Sequence, residues 1–269
     1  MADRPALDAV LFDAGGTLGR LEFEWMADAV AALGHPIDAA TLRTAELEGR
    51  RRYDESVGMP HPDADPGEPP PPLGVVGDTH AYFRGTLVAA SVPEALIPAV
   101  LKRWLERQAE VGLWNRVMEG SPGALAGVRA LGLRRAVVSN SDGRAEQHLR
   151  DWGVLGELEF VVDSQKVGIE KPDPRIFTVA LDQLGLPAGR VLYVGDIRCC
   201  DEVGSRAAGL HFVLIDPTGR YAAPGAPHIE RIGDLPGWIE ARFTVPAAAP
   251  GHVPADVPLH RSAGAGGSS

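Results

Sequence analysis

The sequence predicts an α/β fold: an open parallel sheet with helices on both faces, carrying an inserted all-α region. Three observations lead there. Short apolar runs that end in polar residues recur at 9–13 (AVLFD), 136–139, 160–163, 191–196 and 212–216. Helical stretches separate the later runs, at 122–130, 145–152, 174–184 and 201–208. The alternation breaks once, between residues 21 and 114, where the pattern is helical apart from a Pro-rich loop.

Each element has a local reason. The apolar runs are short and rich in Val, Leu, Ile and aromatics, as strands buried on both faces are. Strand alternating with helix is the pattern of a parallel sheet wound on both sides. Pro122 and Pro174 suit first-turn positions, and Gly185 and Gly209 suit helix ends. In the insert, Phe23, Trp25, Met26, Ala29, Val30 and Leu33 recur at helical spacing before Gly34. Residues 39–56 are charged and read as a helix with a solvated face, and 79–90 and 93–111 are two further helices. The loop 59–74 (MPHPDADPGEPPPPLG) reads as extended surface chain, because Pro lacks an N–H donor and fixes φ. Residues 244–269 are dominated by Ala, Pro, Gly and Ser and are expected to be a disordered tail. The expected organisation is a core of 1–20 and 115–243 around the helical insert 21–114.

Composition narrows the function. With 269 residues and 45% hydrophobic content the chain can build a substantial core. A formal charge of −10 argues against a nucleic-acid partner, which needs a basic face. The two cysteines, Cys199 and Cys200, are adjacent and form no disulfide framework. No apolar run approaches the ~20 residues needed to span a bilayer. The first apolar stretch is too quickly followed by Asp13 to be a signal peptide. The expectation is a cytoplasmic protein, a monomer or homodimer, with no membrane or nucleic-acid partner.

In an open α/β sheet, ligands bind beyond the carboxyl ends of the strands. The first strand ends in Asp13, followed by Ala14-Gly15-Gly16-Thr17; the second ends in Ser139-Asn140. Lys171 lies in a later loop, and Asp196 and Asp201 follow the strand at 191. Three aspartates on one edge would push protons onto one another unless a hard cation such as Mg²⁺ joined them. Ser139, Asn140, Lys171 and the amides of the 15–17 turn could then hold phosphate oxygens while Asp13 attacks phosphorus. His80, Arg20 and Glu22 lie in or near the insert; His80 is a candidate proton donor, and Arg20 and Glu22 are candidates for substrate contact.

Four segments in order, LFDAGGTL (11–18), VVSNSDG (137–143), SQKVGIEKPDPRIF (164–177) and VGDIRCCDEVGSRAAG (194–209), resemble the haloacid dehalogenase (HAD) superfamily. The resemblance implies a Rossmann-like HAD core with a C1-type helical cap inserted after the first segment. It implies a Mg²⁺-dependent hydrolase acting on a small phosphorylated metabolite through an aspartyl-phosphate. Asp13 would be the nucleophile and a metal ligand, and the Gly15 carbonyl, Asp196 and Asp201 would complete the metal site. Lys171 would neutralise charge, and Thr17, Ser139 and Asn140 would bind substrate.

One departure matters. Most phosphatases of the superfamily carry a second Asp two residues after the nucleophile, as proton donor to the leaving group. Here that position is Gly15. Two alternatives stay open: a dehalogenase-type hydrolase, or a catalytically weak regulatory relative. Gly15→Asp discriminates: a large gain in esterase activity would indicate that the remaining machinery is intact and only the acid is missing.

Overall fold

The structure, a computed structural model, describes residues 4–64 and 71–246. The chain opens with β1 (Ala9–Phe12) and β2 (Gly19–Leu21), then α1 (Phe23–Ala31), α2 (Ala39–Ser56), α3 (Thr79–Ala89) and α4 (Ile97–Glu110). It returns through β3 (Trp114–Val117) to α5 (Ser121–Ala130), β4 (Arg134–Ser139), α6 (Ala145–Asp151) and β5 (Val161–Asp163). The short α7 (Ser164–Val167), α8 (Arg175–Leu184), β6 (Val191–Gly195), α9 (Val203–Ala207) and β7 (His211–Ile215) follow. β8 (His228–Ile229) and α10 (Leu235–Arg242) complete the described elements.

Six strands form one parallel sheet in the order β5-β4-β1-β6-β7-β8. The central β1 is fully buried, so its run AVLF needs no polar alternation. One face packs Val10, Phe12, Val137 and Leu192 against α5 and α10 residues such as Leu125 and Ile239. The other packs Leu11, Val138 and Tyr193 against α8 residues Ile176, Phe177 and Ala180. The insert has its own apolar cluster, centred on Met26, Phe83, Val100 and Trp104. β2 and β3 pair antiparallel and form the two-stranded stem through which the insert leaves and rejoins the sheet.

Two expectations change. The Pro-rich loop is not simply solvated at its start: Met59 packs with Cys199 and Cys200, and the Pro60 carbonyl accepts from Arg198. Residues 65–70 lie outside the described set. At the other end, Thr244 is held to the start of the chain by backbone bonds to Pro5 and Leu7, and 247–269 lie outside the described residues. The stem strands, β8, α7 and α10 have no counterpart in the sequence reading, being short or lacking a strong period.

The helix α2 is tied to the sheet by buried polar groups rather than by a solvated face. Arg50 reaches the carbonyls of Asp196 and Ile215, at 3.4 and 3.3 Å. Asp54 accepts from the Tyr221 hydroxyl at 2.6 Å and the Cys199 amide at 2.9 Å. Burial pushes the Asp54 carboxyl up to about 6, against the pull of those hydrogen bonds. The folded state therefore holds the proton more tightly than the unfolded chain. That stabilisation is fully present below the ordinary value of 3.8 and is lost as pH rises through about 6. Asp54→Asn is expected to gain stability relative to the wild type by up to roughly 3 kcal/mol between about pH 4 and pH 8. Thermal melts at both pH values check this; a difference that does not change with pH contradicts it.

Candidate active site

Backbone geometry sets the aspartates in place. Asp13 directly follows β1, and its amide donates to the Val194 carbonyl of β6 at 2.9 Å. The chain then turns tightly, with the Leu18 and Gly19 amides both bonded to the Ala14 carbonyl. Gly16 adopts φ +79°, and a Cβ there would stand 2.0 Å from Asp196 Oδ2. Only glycine lets the turn pass this close to the second aspartate. Asp196 follows β6, and the chain runs through a π-helical turn, Arg198–Glu202, before α9. Asp201 is not the simple helix cap its position suggests. Its Oδ2 accepts the amides of Asp196 and Ile197, both at 2.9 Å.

These three carboxylates converge. Asp13, Asp196 and Asp201 are buried, and each offers an oxygen within 4.8 Å of the others. The Lys171 ammonium sits among them, 2.7 Å from Asp13 Oδ1, 2.8 Å from Asp201 Oδ1 and 2.9 Å from the Tyr193 hydroxyl. Burial alone would lower the Lys171 pKa, but the attraction of Asp13 and Asp201 outweighs it and holds the ammonium charged. Burial raises Asp13 to about 6, opposed by Lys171 and reinforced by Asp201. Asp196 is also pushed up, first by burial, with Arg50 opposing and the other two aspartates adding to it.

The residues fit a divalent cation. All the donors are oxygens, the set Mg²⁺ prefers. Asp196 Oδ1 is buried with no hydrogen-bond partner, so it is free to take a ligand. The charges agree: four buried carboxylates, Asp13, Asp196, Asp201 and Glu46, face two buried cations, Lys171 and Arg50. Arg50 lies 3.4 Å from Asp196 Oδ2 and 2.9 Å from Glu46.

The remaining expected residues divide. A cavity of about 480 Å³ opens over Asp13 and is lined in part by Gly15, Ser139, Asn140 and Lys171. Ser139 is buried and only weakly engaged, its hydroxyl 3.5 Å from the Asn140 carbonyl. Asn140 has a different main task. Its amide donates to the Lys171 carbonyl at 2.9 Å and accepts the Lys171 N–H at 2.8 Å, so it positions the lysine. Thr17 is fully buried with its hydroxyl unpartnered, and is not among the lining residues. Arg20 and Glu22 serve structure: Arg20 pairs with Glu24 and Glu119, and Glu22 accepts from Arg107, Asn115 and Arg116. His80 is exposed on a separate outer groove, whereas His148 lines the cavity.

Sequence reasoning missed several contributors. Asp163 accepts the amides of Gly143, Ala145 and Gln165 and so braces the loop after β4. Its place at a strand end was the one available signal. Tyr193 and Arg50 had none, since each meets the site only through the fold. Trp114 is the most consequential. Its indole would stand 3.0 Å from a Cβ on Gly15, filling the side of the missing acid. Gly15→Asp therefore requires that ring to shift by a few tenths of an ångström.

The fold and this edge define a class: a parallel α/β hydrolase whose carboxylate-lysine centre lies beyond the sheet. A family model for haloacid dehalogenase-like hydrolases matches residues 7–209, and the chain belongs to that family. Haloacid dehalogenase-like hydrolase domain-containing protein 3 of Mus musculus is 39% identical over 131 residues, 48% of this chain and 52% of its own. The chain thus spans about half the length of that curated relative. The phosphoserine phosphatase of Thermus thermophilus is 36% identical over 112 residues, covering 41% of this chain and 45% of its own. The structure of a putative HAD-hydrolase from Bacillus subtilis bound to magnesium gives a TM-score of 0.51 at 18% identity, over 87% of this chain and 99% of that one. That likeness concerns the fold.

Asn140→Ala removes both bonds to the Lys171 backbone. It is expected to cost roughly 1–3 kcal/mol, because it leaves a buried amide unsatisfied. Chemical denaturation reads the loss, and an unchanged midpoint would mean that Asn140 does not hold the lysine.

Proposed function

We propose that this protein is a Mg²⁺-dependent phosphatase of a small phosphorylated metabolite, acting through an aspartyl-phosphate on Asp13. The observation that carries this reading is the buried convergence of Asp13, Asp196 and Asp201 around Lys171 at the base of one cavity. The phosphatase relative agrees with it.

The chain's residues divide the work. Asp13, ionised against Lys171, presents an oxygen for in-line attack on phosphorus. Lys171 offsets the negative charge that spreads over the phosphoryl oxygens in the transition state. The Ser139 hydroxyl, buried beside the cavity, is placed to donate to one of those oxygens. Asp201, held by two backbone amides, keeps Lys171 aimed at Asp13. Asp13, Asp196, Asp201 and the Gly15 carbonyl would hold the cation, which when bound supplies Lewis-acid neutralisation of the phosphate. The helical insert acts as the cap: Tyr53 and Tyr82 come from it to the cavity wall and exclude water from the reacting group.

Purified protein is expected to hydrolyse acetyl phosphate or p-nitrophenyl phosphate with Mg²⁺ and to stop on chelation. Asp13→Asn is expected to lower kcat by at least about 10³. Phosphate release assays read both. Failure on these substrates and on a broad phosphometabolite panel sinks the proposal. Halide release from a 2-haloacid in the presence of chelator would instead place the chemistry at carbon.

A further inference from the structure

Two features of the cavity are independent of the carboxylate centre and converge on one kind of leaving group. The first is the absence of a carboxylic acid two residues beyond the nucleophile. Residue 15 has no side chain, and the place a carboxylate would take is faced by the Trp114 indole at 3.0 Å. His80, the insert histidine weighed as a proton donor, lies on another surface. A leaving group that needs a proton in the transition state forgoes about 10²–10⁴ in rate. One that departs as a stable anion loses little.

The second feature is the wall. Trp114, Tyr82, Tyr53, Trp152 and Val76 line the cavity. Trp114 is fixed by tilted packing on Tyr82 and Phe83, with ring centroids at 6.0 and 5.8 Å. In the same lining His148 stacks on Trp152 at 5.9 Å. Aromatic walls of this kind favour a flat apolar group. Charge points the same way. Among the described lining residues there is no arginine, and Lys171 is engaged by Asp13 and Asp201. Burial, with the Arg144 charge beside it, lowers the pKa of His148 and disfavours its cationic form. Glu170 adds negative charge to the lining, and Asp142 is already paired with Arg144. A carboxylate on the substrate would meet no unpaired cation among the described lining residues.

We infer that the preferred substrates are aryl phosphates, monoesters of a phenol whose ring carries no anionic group, with Trp114 as the residue that determines this specificity. The inference rests on the phosphatase reading of the same site. In the first step an Asp13 oxygen bonds to phosphorus, and the P–O bond to the ring breaks with its electron pair on the phenolate oxygen. The phenolate leaves unprotonated and takes its proton from solvent. Water then displaces Asp13 from phosphorus, releasing inorganic phosphate and the proton that balances the phenol. The second step is common to all substrates, so kcat/KM reports the first.

Four substrates separate the two features. Phenyl phosphate has the ring and the good leaving group, benzyl phosphate the ring alone, acetyl phosphate the leaving group alone, and ethyl phosphate neither. With Mg²⁺, kcat/KM for phenyl phosphate is expected to exceed that for benzyl phosphate by at least about 10². Trp114→Ala is expected to lower kcat/KM for phenyl phosphate about ten-fold more than for acetyl phosphate, and Trp114→Phe to restore most of the loss. Trp114→Phe keeps the test readable if the alanine variant folds poorly. Benzyl phosphate within ten-fold of phenyl phosphate would overturn the inference, as would equal losses on ring and ringless substrates, or preference for phosphoserine over phenyl phosphate. No turnover of any phosphate, acetyl phosphate included, would count against the phosphatase reading itself.

Discussion

Three carboxylates buried within 4.8 Å of one another repel strongly where water cannot screen them. The rest of the site can be read as the means of holding them there. Lys171 lies between Asp13 and Asp201, and Arg50 stands against Asp196. Two backbone amides fix Asp201, and the Tyr193 hydroxyl donates to the Val138 carbonyl while contacting the Lys171 ammonium and Asp201. One buried oxygen of Asp196 is left without a hydrogen-bond partner, and a divalent cation would meet it. The sheet makes the convergence possible. β1 and β6 are adjacent and in register, so their carboxyl ends deliver Asp13 and Asp196 side by side.

The same charges couple the insert to the sheet. Arg50 belongs to α2, yet its guanidinium binds Asp196 and the carbonyls of Asp196 and Ile215. Glu46 orients Arg50 and accepts from Tyr82, whose ring lines the cavity. A chain of contacts therefore runs from the cavity wall to the carboxylate centre through the insert. Asp54 adds a second buried attachment through Tyr221 and Cys199. Buried polar contacts of this kind are directional, so they select one placement of α2 rather than a family of sliding ones.

The position two residues beyond Asp13 shows how an absent side chain acquires a structural consequence. Glycine there admits the Trp114 indole, and Trp114 in turn packs on Tyr82 and Phe83 of α3. The stem strand β3, the helix α3 and the loop after β1 thus meet at one point. An aromatic surface rather than a carboxylic acid therefore stands at that point, beside Asp13.

The sequence by itself determined five of the six strands of the sheet and the candidate groups at its carboxyl edge. Runs such as AVLFD and VLYVGD carry both a buried strand and its terminal aspartate, so periodicity and chemistry were legible together. Local order also placed Lys171 before α8 and the glycine turn after Asp13. Tertiary structure alone decided what those groups face. Arg50 reads as one charge in a polar helix, and Trp114 as the end of an insert, because spacing along a helix says nothing about contacts 146 or 99 residues away in sequence. Asn140 likewise reads as a phosphate ligand until Lys171 comes within hydrogen-bond reach and takes both ends of its amide. The physical reason is one of range. Strand and helix patterns arise from neighbours in the chain, whereas charge compensation and the shape of a cavity arise from groups that only folding brings together.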